Sequence, residues 1–182
     1  MHRQPIQHCR TCGAAVVYRV PDDGDTRERA VCPACGTIHY VNPLLVVGTV
    51  PYMDGRVLLC QRGIEPRHGK WTLPAGFMEM GETMAEGAVR ETAEEAGARI
   101  ALGPLFSTLS VPRVGQVHVF YLARMLDETC EGFGHETLQV RLFSEAEVPW
   151  QDIAFTTVRE TLKHFFDDQR QGQFGFHDGD IA

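Results

Sequence analysis

The sequence predicts an α/β protein that carries a small cysteine-containing module at its N-terminus. Two C-x-x-C pairs occur within the first 40 residues. A glutamate-rich helix is predicted further along the chain, with stretches rich in β-forming residues on both sides of it. A chain of 182 residues is long enough for one domain, or for one domain with a small added module.

Composition and charge exclude several functional classes. The 43% hydrophobic and 23% charged residues are typical of a globular protein. A formal net charge of −7 disfavours non-specific nucleic-acid binding, which needs a basic surface. No apolar run reaches the roughly 20 residues of a membrane helix, and the N-terminus lacks the apolar core of a signal peptide. We therefore expect a soluble cytoplasmic protein without nucleic-acid or membrane partners.

The first module, residues 1–40, carries four cysteines in two pairs, each pair followed by a glycine. They are Cys9, Cys12, Cys32 and Cys35. Four thiolates at this spacing fit tetrahedral Zn²⁺, although iron is chemically possible and two disulfides would form in an oxidising compartment. The segment is too short for a core of its own, so a structural metal would supply much of its stability. Predicted strands over 14–20 and 27–31, joined by a turn, complete the pattern of a zinc ribbon.

The stretch 76–98 is predicted to form a tight loop followed by a helix. The helix should begin near Thr83 and end at Gly97, since glycine suits the left-handed position after a helix. Glu91, Glu94 and Glu95 are spaced i, i+3 and i+4, which places three carboxylates on one face. Such like charges need compensation, and Mg²⁺ or Mn²⁺ would provide it through oxygen ligands. A solvated acidic helix face is the alternative interpretation.

The other face of this helix is predicted to pack against a sheet because its residues are small or apolar. They are Met84, Ala85, Ala88, Val89, Thr92 and Ala96. Gly87 costs about 1 kcal/mol relative to alanine in mid-helix, so a close contact is expected there. Arg90 is positioned to pair with Glu94 or Glu86, each four residues away.

The complete run resembles the signature of the Nudix hydrolases, namely glycine, five residues, glutamate, seven residues and then R-E-x-x-E-E-x-G. The matching residues are Gly76, Glu82, Arg90, Glu91, Glu94, Glu95 and Gly97. Thr92 and Ala98 depart mildly from the bulky apolar residues that the family prefers. The resemblance implies an α/β/α sandwich with a mixed sheet and hydrolysis of a nucleoside diphosphate linked to another group. Residues 1–40 would form the ribbon, 41–168 the Nudix hydrolase domain and 169–182 a C-terminal tail.

The elements around the signature follow from local patterns. Strands are predicted over 46–52 and 56–62, with Asp54 and Gly55 as the hairpin turn between them. Further strands are expected over 100–110, 116–126 and 138–143, with 127–135 as a loop. Ser144 begins a capping box for a short helical turn, and Thr157 and Glu160 form the box of a second helix. Phe174 and Phe176 suggest that the tail docks on the rest of the chain.

The resemblance also implies the roles of individual residues. Glu91, Glu94 and Glu95, together with the carbonyl of Gly76, would bind Mg²⁺ or Mn²⁺. A carboxylate on the loop before the last predicted strand often completes this site, and Glu136 is favoured over Glu131. Either Glu95 or Glu136 would act as the general base. Glu82 and Arg90 would form the salt-bridge frame that holds the loop on the helix.

The substrate is expected to be a small dinucleotide. The chain resembles plant-type FAD pyrophosphatases in CxxCG-x-I-x-Y-x-NP, HGKWTLPAGF, PRVGQ and RLF…DIAF, a resemblance spanning residues 9–160. It implies cleavage of FAD to FMN and AMP, or of ADP-ribose. The alternatives are an NADH or triphosphate pyrophosphohydrolase, and a non-catalytic interaction module. Arg62, His68 and Phe155 are candidate substrate contacts, and a homodimer is possible.

Overall fold

The structure of the chain, a computed structural model, describes residues 5–182. The chain divides into two compact units, one ending at Pro43 and one comprising Leu44–Ala182. The smaller unit contains a three-stranded antiparallel sheet formed by β1 (Val17–Arg19), β2 (Arg29–Val31) and β3 (Ile38–His39). The second strand begins later than the sequence predicts because the Asp25 carboxylate accepts hydrogen bonds from the N–H groups of Thr26 and Arg27 and extends the turn.

The larger unit contains an eight-stranded mixed sheet and two α-helices. The strands are β4 (Leu44–Met53), β5 (Arg56–Arg62), β6 (Trp71–Thr72), β7 (Ala75–Phe77), β8 (Ala98–Val111), β9 (Gln116–Cys130), β10 (Thr137–Phe143) and β11 (His177–Asp180). The helices are α1 (Met84–Ala96) and α2 (Thr156–Gln171). The main strand order is β10-β5-β4-β9-β8-β11, with β4–β9 and β8–β11 parallel. No helix within 5–182 is both long and apolar enough to cross a bilayer.

The sheet lies between the two helices, as in the expected α/β/α sandwich. On β5, Val57 and Leu59 belong to the cluster that includes Leu162 and Phe165 of α2. The alternate residues Leu58 and Cys60 instead pack in a cluster with Ala96 of α1. Successive side chains of a strand point to opposite faces, so a buried run of four shows that both faces are covered.

The β4–β5 hairpin follows the predicted turn. Asp54 and Gly55 have φ angles of 48° and 76°, and these positive values are those of a type I′ turn. The twist of this turn matches that of the strands it joins, which explains why an Asp-Gly pair predicts it well.

Two predictions about the region around α1 need correction. Met84 and Val89 are exposed, because only the narrow stripe containing Ala88, Thr92 and Ala96 is fully buried. Gly87 has the expected close contact, since an added Cβ would lie 2.8 Å from Cγ2 of Val47. The predicted loop over 127–135 is shorter than expected, because β9 continues to Cys130 and pairs there with Ala98.

The predicted capping box at Thr157 is wrong. Phe155 occupies the N-cap of α2 and no side chain caps that end. Thr157 is buried, and its hydroxyl lies 3.0 Å from Nδ1 of His118 on β9. Nε2 of His118 lies 3.0 Å from Oε1 of Gln116. This arrangement matches a neutral imidazole that donates from Nε2 and accepts at Nδ1. The Thr157 hydroxyl therefore donates to a buried histidine and does not cap the helix.

The C-terminal segment docks on the sheet as expected, although by only one of its two phenylalanines. Phe174 packs against Tyr52, Phe106 and Phe165, with ring centroids 5.3 to 6.2 Å apart. Phe176 remains 55% exposed. Beyond Gly172, β11 adds to β8 in parallel, a pairing that no local pattern indicates.

Acid should weaken the fold through His118. Burial lowers the pKa of its imidazole to about 4 from the ordinary 6.5. The unfolded chain therefore binds this proton first, and stability falls as pH drops from 6.5 towards 4. At pH 5 the loss should approach about 2 kcal/mol in the free energy of unfolding. Urea unfolding at pH 7.5 and pH 5 should show a smaller pH dependence in His118→Gln than in wild type; equal dependence would contradict this role.

Candidate active site

Helix α1 is bounded by two local devices that orient its carboxylates. At its start, the Thr83 hydroxyl accepts a hydrogen bond from the Glu86 N–H, and the Glu86 carboxylate accepts one from the Thr83 N–H at 2.8 Å. At its end, Gly97 adopts a left-handed conformation with φ of 59°. Both groups of Glu86 bind Thr83 in this cap. Of the two pairings predicted for Arg90, the one with Glu86 is therefore absent.

Glu91 is buried against the backbone of β7. A Cβ atom at Gly76 would lie 2.4 Å from both carboxylate oxygens of Glu91, so only glycine allows this approach. Burial raises the pKa of Glu91, and the neighbouring guanidinium of Arg90 opposes that rise. The structure therefore packs an acidic side chain directly onto the strand that precedes the helix.

Glu95 points at the same strand. The Ala75 N–H donates a hydrogen bond to Oε2 of Glu95 at 2.9 Å. Burial raises the pKa of the Glu95 carboxyl to about 7, even though this hydrogen bond acts in the opposite direction. A carboxyl group with a pKa near neutrality is suited to accepting and releasing a proton.

Arg90 of α1 contacts three glutamates, one in the preceding loop and two on the helix itself. Its guanidinium contacts both carboxylate oxygens of Glu82, at 3.0 and 2.8 Å, and holds the pKa of that carboxyl at about 2. Nη1 also lies 2.7 Å from Oε1 of Glu91 and 3.2 Å from Oε2 of Glu94. The forked contact ties the loop to α1, while the other two contacts partly offset the like charges of the helix face.

Arg90 and the glutamates of α1 that it contacts line one cavity of about 570 Å³ in the larger unit, whereas Glu82 lies outside the lining. Its lining includes five glutamates, which are Glu79, Glu91, Glu94, Glu95 and Glu136. Two arginines, Arg62 and Arg90, also line it, together with Gly76. Glu131 is absent from the lining, and its backbone lies instead against Gly97. The structure thus brings together all the residues that the sequence assigns to the Mg²⁺ or Mn²⁺ site.

The candidate substrate contacts are divided. Arg62 lines the cavity and its guanidinium lies 5.1 Å from the centroid of the Phe155 ring. Phe155 lies behind Arg62 rather than in the cavity lining, and it packs against the core. His68 is exposed and lies outside the lining. Glu79 and His135 also line the cavity and were not predicted as site residues. Their one signal in the sequence is position, since Glu79 lies within the signature and His135 directly precedes Glu136.

The four cysteines of the smaller unit converge on one point. Their Sγ atoms all lie within 4.8 Å of one another, and among residues 5–182 they are the one such group of three or more metal-binding side chains. The closest pairs, Cys9–Cys35 and Cys12–Cys32, are separated by 3.6 and 3.5 Å. A tetrahedron with Zn–S bonds of about 2.3 Å has edges of about 3.8 Å. All cysteines described are free of disulfides, so this geometry fits Zn²⁺.

The donor set of the cavity fits a different kind of ion. It offers carboxylate oxygens and backbone, without sulfur or a buried imidazole, and hard divalent cations such as Mg²⁺ and Mn²⁺ prefer such ligands. Five carboxylates against two guanidinium groups leave an excess of negative charge for a cation to balance.

Each of the two units matches a known protein family model. Residues 43–168 match the family model of the NUDIX domain, and residues 7–41 match that of the Nudix N-terminal zinc ribbon. A NUDIX hydrolase from Nitrosomonas europaea, known from its crystal structure, is 46% identical with a TM-score of 0.91. The match covers 97% of this chain and 99% of that one.

Curated relatives share shorter segments. An ADP-ribose pyrophosphatase of Methanocaldococcus jannaschii is 36% identical over 89 residues, which is 48% of this chain and 53% of the relative. The NAD-capped RNA hydrolase NudC of Vibrio atlanticus is 28% identical over 144 residues, which is 77% of this chain and 52% of the relative. The chain thus spans about half the length of these curated relatives.

The fold and the carboxylate-lined cavity define an α/β/α sandwich protein with a site suited to a hard divalent cation. The chain belongs to the Nudix family, in the form that carries an N-terminal zinc ribbon. Mg²⁺ or Mn²⁺ is the catalytic cofactor of this family, and Zn²⁺ is the structural ion of the ribbon.

Gly76→Ala should disrupt the site more than the fold. The new methyl group would displace the Glu91 carboxylate, and a shift of about 1 Å in such a group can reduce turnover about 100-fold. Overpacking should cost about 1–3 kcal/mol in the free energy of unfolding. Steady-state rates and thermal unfolding would measure both effects. Gly179→Ala is the matched control, because its Cβ would meet Leu109 at an ordinary 3.7 Å. Equal rates in the two variants would contradict the assignment.

Proposed function

We propose that the protein hydrolyses the diphosphate of a small nucleoside-diphosphate-linked molecule, with ADP-ribose or FAD as its substrate. The observation that carries this proposal is the cavity in which five glutamates face two arginines. An anionic diphosphate would be repelled by this cavity unless a divalent cation were bound there. The arrangement therefore suits metal-assisted cleavage of a phosphorus anhydride better than simple binding.

The side chains divide into three roles. Glu91, Glu94, Glu95 and Glu136, with the Gly76 carbonyl, would hold the cation. The chemistry supplied by that cation is neutralisation of the diphosphate charge and activation of the attacking water. Glu95 would take the proton from that water, with Glu136 as the alternative general base. Arg62 would contact phosphate oxygens at the rim of the cavity.

Attack of water at one phosphorus atom breaks one P–O bond of the anhydride and leaves two monophosphates. FAD would give FMN and AMP, and ADP-ribose would give AMP and ribose 5-phosphate. ADP-ribose is supported by the relative that carries this activity, which aligns over about half its length. FAD is supported by the sequence motifs that resemble plant-type FAD pyrophosphatases.

NAD-capped RNA is the second candidate because the NudC of Vibrio atlanticus aligns with 77% of this chain. The formal net charge of −7 favours a small dinucleotide over an RNA substrate.

The cytoplasm is the proposed location, since free cysteines and a thiolate zinc site suit a reducing compartment. A homodimer is also proposed, and sedimentation equilibrium of the full chain would test it.

Product analysis would decide among these substrates. The zinc-loaded protein would be incubated with Mg²⁺ or Mn²⁺ and equal amounts of FAD, ADP-ribose, NADH, NAD-capped RNA and a nucleoside triphosphate. Fastest release of AMP from ADP-ribose or FAD supports the proposal and identifies the substrate. Fastest cleavage of capped RNA or of the triphosphate would overturn it in favour of another Nudix activity. Absence of turnover with either metal would indicate an interaction module.

A comparison of Glu136→Gln with Glu131→Gln tests which carboxylate completes the site. Glu136 lines the cavity and Glu131 does not. We expect kcat/KM to fall at least about tenfold for Glu136→Gln and to remain within about twofold for Glu131→Gln. Titration of Mg²⁺ should show weaker metal activation in the first variant alone. Equal effects of the two substitutions would show that general charge, and not ligation, is responsible.

A further inference from the structure

A second cavity of about 230 Å³ lies at the beginning of α2 and is lined by three cationic side chains. They are Arg67, Lys70 and Arg159, and the rest of the lining is formed by Gln151, Ile153, Ala154 and Thr156. No carboxylate belongs to this lining. The chain as a whole has an excess of acidic residues, so a concave site with three cations and no acid is unusual for it. We call it the cationic cavity.

The charges of the cationic cavity are poorly compensated. Lys70 pairs with Asp152, with Nζ and Oδ1 2.6 Å apart. Within residues 5–182, Arg67 and Arg159 form no ion pair. The Nε atom of Arg159 is buried and has no hydrogen-bond partner in this part of the chain. No carboxylate of the described residues therefore offsets the charge of this partly buried guanidinium, and an anion in the cavity that Arg159 lines would do so.

The backbone adds further donors. The N-cap of α2 is Phe155, and no side chain accepts from the first N–H groups of the helix. These groups, and the positive end of the helix dipole, favour an anion. The position of this end is set by the Ala154 N–H, which donates to the Trp71 carbonyl at 2.8 Å. Guanidinium, ammonium and backbone N–H donors thus lie around one small space, on a segment that the Ala154 hydrogen bond holds in place.

The ligand class follows from the number and geometry of these donors. A phosphate monoester carries about −1.5 to −2 charges and three strong acceptor oxygens. The forked guanidinium of an arginine matches two phosphate oxygens. The cavity volume of about 230 Å³ is several times the roughly 30 Å³ of a water molecule. We propose that the cationic cavity is a binding site for a phosphate group, either that of a monoester or free inorganic phosphate.

The cationic cavity lies beside the glutamate-lined cavity of the candidate active site, which we call the catalytic cavity, but is distinct from it. The two cavities share no lining residue. Arg62 of the catalytic cavity stacks on Phe155, which directly precedes Thr156 of the cationic cavity. The phosphate can therefore come from a substrate that carries a further phosphate outside its diphosphate, or from free inorganic phosphate. The first source rests on the proposed function, whereas the second does not.

The first test titrates inorganic phosphate into the full-length zinc-loaded protein without added Mg²⁺ or Mn²⁺. Binding is followed by amide chemical shifts and by the midpoint of thermal unfolding. We expect shifts at the amides of 156–159, a raised midpoint and about tenfold weaker binding in Arg159→Gln. The matched control is Lys163→Gln, which removes a cation four residues further along the same helix and should bind within about twofold of wild type.

Three results would overturn the proposal. They are absence of phosphate binding, shifts confined to the catalytic cavity, and equal weakening in Lys163→Gln. Should Arg159→Gln fail to fold, Arg67→Asn decides instead, because Arg67 is exposed and asparagine tolerates its positive φ of 71°. Undiminished phosphate binding in Arg67→Asn would then reject the site.

The second test separates the two phosphate sources. It compares kcat/KM for ADP-ribose and ADP-ribose 2′-phosphate in wild type and in Arg159→Gln. A loss of about tenfold restricted to the phosphorylated substrate assigns the cavity to substrate recognition. An unchanged ratio, together with weakened binding of free phosphate, assigns it to inorganic phosphate. Phosphate binding without turnover of these two substrates or of FAD would retain the cavity while rejecting the proposed function.

Discussion

Glu95→Gln is expected to lower kcat about 10²- to 10⁴-fold while leaving the protein folded. The carboxylate lies in the catalytic cavity, accepts a hydrogen bond from the Ala75 N–H and has a pKa near 7 because of its burial. Glutamine has nearly the same shape and keeps an oxygen for that hydrogen bond, but it cannot take a proton. Initial rates with saturating Mg²⁺ and the preferred dinucleotide would measure the loss.

Stability distinguishes a catalytic role of Glu95 from a structural one. Burying a neutral amide costs less than burying a carboxylate, so the midpoint of thermal unfolding without Mg²⁺ should be unchanged or raised in Glu95→Gln. Glu131→Gln is the charge-matched control, because that residue lies outside the cavity. If Glu95→Gln kept more than about a tenth of wild-type kcat, Glu136 would become the candidate base.

Removal of zinc is expected to unfold the smaller unit while the larger one remains intact. The strands of the smaller unit are two or three residues long, and the buried cysteines Cys9 and Cys32 are part of its small core. Structural Zn²⁺ supplies about 10–16 kcal/mol in peptides of this size, far more than so small a sheet provides. A strong chelator, or Cys32→Ser, should therefore abolish amide protection up to Pro43.

Amide hydrogen exchange of the full chain is the measurement, because it reports each unit separately. Residues 44–182 should keep their protection, since their core clusters are formed within that range. Cys130→Ser serves as the control: this cysteine is free and lies outside the four-sulfur group. Zinc content should fall from about one ion per chain only in Cys32→Ser. Protection that persisted in residues 5–43 after metal removal would refute the structural role.

Local patterns in the sequence predicted the parts of the fold that depend on nearby residues. The start of α1 at Thr83, the left-handed Gly97 and the turn at Asp54 and Gly55 are all present as expected. Each rests on contacts within about four residues, so composition and spacing are sufficient to reveal it. The zinc ribbon was predictable for a related reason, since paired cysteines admit few other arrangements.

Tertiary contacts decided what local patterns left open. Thr157 lies at a cap-like spacing from Glu160, yet the interior offers it His118, 39 residues away. β11 pairs with β8 in parallel, and Phe174, just before β11, packs against the core. The cationic cavity assembles residues from the loop after β5 and from the start of α2. These contacts join distant segments, and their energies exist only after the sheet has formed.

The catalytic cavity combines features that follow from local sequence with features that arise only from tertiary packing. Residue spacing was sufficient to predict the helix, the face that carries Glu91, Glu94 and Glu95, and the resemblance that assigns these residues to metal chemistry. The burial of Glu91 against Gly76, and the hydrogen bond that Glu95 accepts from the Ala75 N–H 20 residues away, appear only in the folded chain. The physical reason is that helical spacing places carboxylates on one face, whereas burial, which raises the pKa of Glu95, requires β7 to pack on that face.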